Sequence, residues 1–104
     1  MKTSKVFRIV RDYLRDGGHM MSHERYICYA VHALYLRGDI GDRDRTKAKR
    51  LIRVHLEGYA SLEHWLYDNY GIRPTRTPAY NKKIMATRKA WLDHLIAHYE
   101  AQGD

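Results

Sequence analysis

The sequence predicts an all-α fold: a single helical domain over residues 1–104, built of four main helices and one short helix. Three observations predict it. Apolar side chains recur at intervals of three and four through nearly every segment, the spacing of a helix with one buried face. No window alternates convincingly at period two, and no Asn-Gly or Asp-Gly pair stands between β-branched runs, so strands and hairpins lack their signal. Glycines, and proline at Thr77-Pro78, punctuate the periodic segments where helices begin and end.

The first helix carries Val6, Phe7, Val10, Tyr13 and Leu14, with Ser4 or Thr3 as the expected N-cap. Arg15 followed by Gly17-Gly18 is expected to close it. Ser22 caps the second helix, Glu24 favours its dipole, and Tyr26, Ile27, Ala30, Val31 and Leu34 form its apolar stripe up to Arg37-Gly38. After the linker Asp39-Ile40-Gly41, Asp42 or Asp44 is expected to cap a third helix from about Arg43 to Glu57. That helix turns Ala48, Leu51, Ile52 and His55 inward, and Gly58 ends it. Ser61 caps a short helix with Leu62, Trp65 and Leu66 on one side, followed by a loop from Ile72 to Thr77. Thr77-Pro78 starts the last and longest helix, because proline at the first helical position loses no bonded N–H. Ile84, Arg88, Trp91, Leu92, Leu95 and Tyr99 line one side of it. Trp65, Trp91, Leu92, Leu95, Leu51 and Ile27 are the expected core.

Composition bounds the function. Nineteen Lys and Arg against 12 Asp and Glu give +7, an excess that points to polyanionic partners. At 44% hydrophobic and 30% charged, the chain is neither disordered nor of low complexity. The one cysteine, Cys28, excludes an internal disulfide, a cysteine-rich zinc site and an iron–sulfur cluster. It reads as a small buried hydrophobe and not a nucleophile. No run approaches the ~20 apolar residues of a membrane span. Charge interleaves the first eight residues, so no signal peptide is expected and the expected compartment is the cytoplasm.

The most informative feature is the third helix. Arg43, Arg45, Lys47, Lys49, Arg50 and Arg53 crowd into it, and at 100° per residue Arg43, Lys47, Arg50 and Arg53 lie roughly opposite the apolar face. Like charges at i, i+3 and i+4 repel by a few tenths of a kcal/mol, so helix stability does not explain them; an anionic partner does. An ordinary solvated face is the alternative. These four residues are the first candidate binding site. The second is Arg73, Arg76 and Lys83, in a cluster that also holds Lys82, Arg88 and Lys89 with Tyr70 and Tyr80 nearby. Arginine forks hold phosphates and tyrosine rings stack on bases, while packing and solubility would explain the same residues without a ligand. Nine tyrosines beside one phenylalanine also suit half-wet interfaces between subunits.

Enzyme signals fail in turn. There is no Gly-rich phosphate loop, nucleophile elbow or dinucleotide fingerprint, and carboxylates stand singly at helix starts. His94 and His98 have the i, i+4 spacing of a metal-binding pair, but the glutamate of the zinc-protease helix motif is missing. A third ligand would have to come from His19, His23, His32, His55 or His64. Neither a metal nor another cofactor is expected.

Thr3-Ser4-Lys5-Val6-Phe7, Tyr26-Ile27-Cys28-Tyr29-Ala30, Ser61-Leu62-Glu63-His64-Trp65-Leu66 and the run from Ala86 to Ile96 together resemble a group of small helical proteins of unknown function encoded by tailed bacteriophages. The resemblance covers most of the chain, in order. It implies a bacterial host cytoplasm and a product that manages host machinery or host defence. It assigns no catalytic or binding residue. The resulting expectation is a non-enzymatic homo-oligomer that binds nucleic acid or sequesters a nucleotide signal. The alternative is a protein–protein module that inhibits or redirects an acidic host protein. A helix-turn-helix regulator fits less well, because the third helix lacks the Gln, Asn and Ser that read base edges.

Overall fold

The computed structural model describes residues 1–15, 22–56 and 78–104, with the backbone alone for 78–84. Among them are four helices and no strand: α1 (Thr3–Tyr13), α2 (His23–Arg37), α3 (Asp42–Leu56) and α4 (Pro78–Ala101). The short helix expected around Leu62, the expected core residue Trp65 and the loop expected from Ile72 to Thr77 lie outside the described residues, as does the side chain of Ile84.

The apolar stripes meet in one core. Phe7, Val10, Ile27, Val31, Ile52, Leu92 and Leu95 are fully buried, and Trp91 is nearly so. Each large apolar side chain removed from water contributes about 1.5–3 kcal/mol. α1 packs chiefly on α4, antiparallel to it: Thr3 meets Asp104, Arg8 pairs with Glu100 and Arg11 with Asp93. α2 and α3 form an antiparallel hairpin, with Glu24 against Arg53 at one end and Tyr35 against Arg45 at the other.

Local chemistry explains most helix ends. Ser22 caps α2, its hydroxyl accepting from the Arg25 N–H at 3.2 Å. α2 stops at Gly38, whose φ of 82° lets the Gly38 and Asp39 amides bond back to the Tyr35 and Leu34 carbonyls. α4 ends in the same motif: Gly103 has φ 75°, and the Gly103 and Asp104 amides bond to the Glu100 and Tyr99 carbonyls.

Three expected ends differ. Neither Thr3 nor Ser4 caps α1; Lys2 holds that position without a side-chain bond, and both residues are buried in the first turn. The cap comes from the far end of the sequence. Asp104 accepts from the Thr3 N–H at 3.1 Å, from the Thr3 hydroxyl at 2.8 Å and, through its carbonyl, from the Ser4 N–H at 2.8 Å. α1 also ends at Tyr13, before Gly17-Gly18. Leu14 leaves the helix in an extended conformation yet stays buried, and the Tyr26 hydroxyl donates to the Arg15 carbonyl. At α3 neither Asp42 nor Asp44 precedes the helix. Gly41 does, its carbonyl taking the Arg45 N–H, while Asp44 reaches back to accept from the Gly41 N–H at 3.1 Å.

Candidate functional site

α3 is positioned by its apolar side. Ala48, Leu51, Ile52 and Leu56 are buried against the neighbouring helices, which turns Arg43, Lys47, Arg50 and Arg53 to solvent. All four are exposed, so the first candidate site is one face of one helix, rising about 15 Å from Arg43 to Arg53.

The four cations are not equivalent. Lys47 Nζ lies 3.3 Å from the Asp104 carboxylate, delivered from the end of α4. Arg53 Nε lies 3.2 Å from Glu24 in the first turn of α2. Arg43 and Arg50 have no carboxylate in ion-pair range among the described residues. Hydrogen bonds from Thr3, together with Lys47, hold the Asp104 carboxyl below its ordinary value, so it is charged when it meets Lys47. Arg50 reaches the field of Tyr99, whose hydroxyl is pushed up by burial and by Asp104 and partly drawn back by Arg50.

The other basic residues of α3 are differently employed. The Arg45 guanidinium sits 4.2 Å over the Tyr35 ring and 2.5 Å from Asp42, so it staples α3 to α2. Lys49 is half-buried beside Cys28, whose thiol is raised mainly by burial. A buried thiol held in its neutral form fits a packing role.

In the second cluster, Arg73 and Arg76 and the side chain of Lys83 lie outside the described residues. Arg88 belongs to the core instead: it is fully buried, donates from Nε to Nδ1 of the buried His23 at 2.9 Å, and stacks 4.1 Å over Tyr26. Its place between the apolar positions of α4, three and four residues before Trp91 and Leu92, was the signal for this.

Arginines cover several tyrosines as well. Arg25 lies 5.5 Å from the Tyr29 ring and Arg37 lies 5.1 Å from that of Tyr13. The contacts of Arg37 with Tyr13, Arg45 with Tyr35 and Arg88 with Tyr26 bind helices to one another, whereas that of Arg25 with Tyr29 lies within α2.

The histidine pair of α4 faces α3. His55 and His98 pack edge to face at 5.1 Å, and His55 Nε2 bonds the Tyr99 hydroxyl at 2.8 Å. Burial first, then the charges of His98 and His94, lower the His55 pKa. Among the described residues no three His, Cys, Asp or Glu side chains are grouped to hold a metal. No described helix is long and apolar enough to cross a membrane. Comparison with protein families, with curated proteins and with solved structures finds no match to the chain.

Proposed function

We propose that the protein is a non-enzymatic binder of nucleic-acid backbone, and that the exposed face of α3 is its contact surface. The carrying observation is the alignment of Arg43, Lys47, Arg50 and Arg53 on one solvent-facing side, two of them without a carboxylate among the described residues. A rise of about 15 Å matches several nucleotides at the roughly 3.4 Å rise of a strand. A face of this shape suits a run of phosphates better than one enclosed nucleotide. Phosphate contacts position a protein without reading sequence, which agrees with a helix face of Arg and Lys on a helix that carries no Gln or Asn.

The wider reading is a helical domain of a phage type, with the short helix around Leu62 completing it. It acts in a bacterial cytoplasm as a homo-oligomer on host machinery or host defence. Exposed Tyr29 and Leu36 on one side of α2 support self-association. An acidic host protein is the second reading; the affinity of Lys47 and Arg53 for carboxylates within the chain favours it.

Native mass spectrometry with short DNA, short RNA and cyclic nucleotides tests the set. Oligonucleotide adducts that disappear with added salt are expected, and they should be lost in the Arg50→Glu/Arg53→Glu variant. A discrete cyclic-nucleotide adduct would replace backbone binding with sequestration. A spectrum free of adducts would move the assignment to an acidic protein.

A further inference from the structure

We infer that Glu24 and Asp104 are built-in counter-ions of the α3 face, which a strand of several phosphates displaces and a single phosphate does not. The inference rests on the reading of that face as a phosphate-binding surface, and it states how the surface selects its ligand.

The two carboxylates come from different elements, Glu24 from the start of α2 and Asp104 from the end of α4, yet both reach cations of the same face. Each pair is substantially solvent-exposed, with side-chain exposures of 61% and 46% for Arg53 and Glu24 and of 47% and 42% for Lys47 and Asp104. Exposed pairs of this kind are weak and exchange readily for another anion. Asp104 also has other partners to keep. Its Oδ2 accepts from the Thr3 hydroxyl at 2.8 Å, shorter than its 3.3 Å contact with Lys47, so Lys47 can leave while the cap of α1 stays in place.

Spacing supplies the selectivity. Arg43 and Arg50, the two without a carboxylate among the described residues, are two turns apart, about 10.5 Å along the axis. Lys47 stands between them, already paired. A mononucleotide phosphate therefore meets one open cation at a time. A strand engages Arg43 and Arg50 together and then competes for Lys47 and Arg53 at high local concentration, the second contact being intramolecular.

Fluorescence anisotropy with a labelled single-stranded DNA of about 20 nucleotides, on the full chain, decides it. Glu24→Gln should tighten binding about two- to five-fold, the worth of an exposed pair. It should also steepen the log–log salt dependence. In the wild type the displaced Glu24 takes up a salt cation as Arg53 meets the phosphate, offsetting part of the release from the strand, and the variant has no such uptake. Asp104→Asn should act in the same direction. Asp93→Asn, which removes an equal charge from the Arg11 pair on α1, should leave the salt slope unchanged. Wild-type binding with an unaltered slope in Glu24→Gln, or the same gain in Asp93→Asn, overturns the inference and leaves the backbone-binding reading standing. Absence of binding by wild type and Glu24→Gln alike overturns both.

Discussion

At the scale of single residues, the described histidines divide by what surrounds them. His55 is half-buried between α3 and α4, where burial and the neighbouring His98 and His94 disfavour its imidazolium. Folded His55 therefore holds a proton less tightly than the unfolded chain does. The unfolded state binds the extra proton as pH falls through about 6.5, so this contribution to stability is complete above that value and lost below it. Thermal melts should show a lower Tm at about pH 5.5 than at pH 7.5, and His55→Gln should flatten that dependence; an equal slope in the variant would remove His55 as the cause. Arg88 makes a different demand. With Arg88→Met, Nδ1 of buried His23 loses the bond it accepts from Arg88, and losing a hydrogen bond to a charged donor costs about 1.5–3 kcal/mol. Urea melts should show this as a lower midpoint, with the α3 face untouched. Arg88 could be placed on the apolar side of α4 by spacing alone, but its bond to His23, 65 residues away, could not.

At the scale of elements, the helices were legible because their evidence is local: a stripe at period 3.6, Ser22 before α2, Gly38 after it, Pro78 at the start of α4. The α1 cap was not legible because its acceptor is 101 residues away in sequence. Asp104 reaches Thr3 only because Gly103 adopts φ 75° and turns the chain back after α4. Adding a Cβ there meets no neighbouring atom, so the cost of Gly103→Ala is conformational, about 1–2 kcal/mol. Gly38→Ala carries the same cost at φ 82° with equally open space. The two variants should have similar thermal stabilities and differ in amide exchange. Gly103→Ala should lose protection at the Thr3 and Ser4 amides that Asp104 covers, whereas Gly38→Ala should keep it. Equal protection would mean that Asp104 holds α1 without help from the turn.

At the scale of the whole molecule, a net charge of +7 spread evenly would say little, but here four cations share one side of α3 while the acidic residues of that helix gather in its first turn. The sequence showed which residues stand on that face. It could not show that Lys47 and Arg53 are met by Asp104 and Glu24, because those contacts depend on how α2 and α4 pack. The open pair carries the sharpest prediction. Arg43 and Lys47 are four residues apart and Lys47 and Arg50 three, so the ligand-free face repels itself by a few tenths of a kcal/mol per pair. Arg43→Glu/Arg50→Glu should relieve that repulsion and leave the ligand-free Tm unchanged or slightly raised. A ligand that binds only the folded state stabilises it by about 2.7 kcal/mol at 100 times its Kd, roughly 10 °C for a domain of this size. Saturating oligonucleotide at low salt should therefore raise the wild-type Tm by roughly that amount, should do little at high salt, and should do nothing for the double variant. If the variant kept the full shift, the phosphates would be held elsewhere, and α3 would be an ordinary solvated helix whose charges serve solubility.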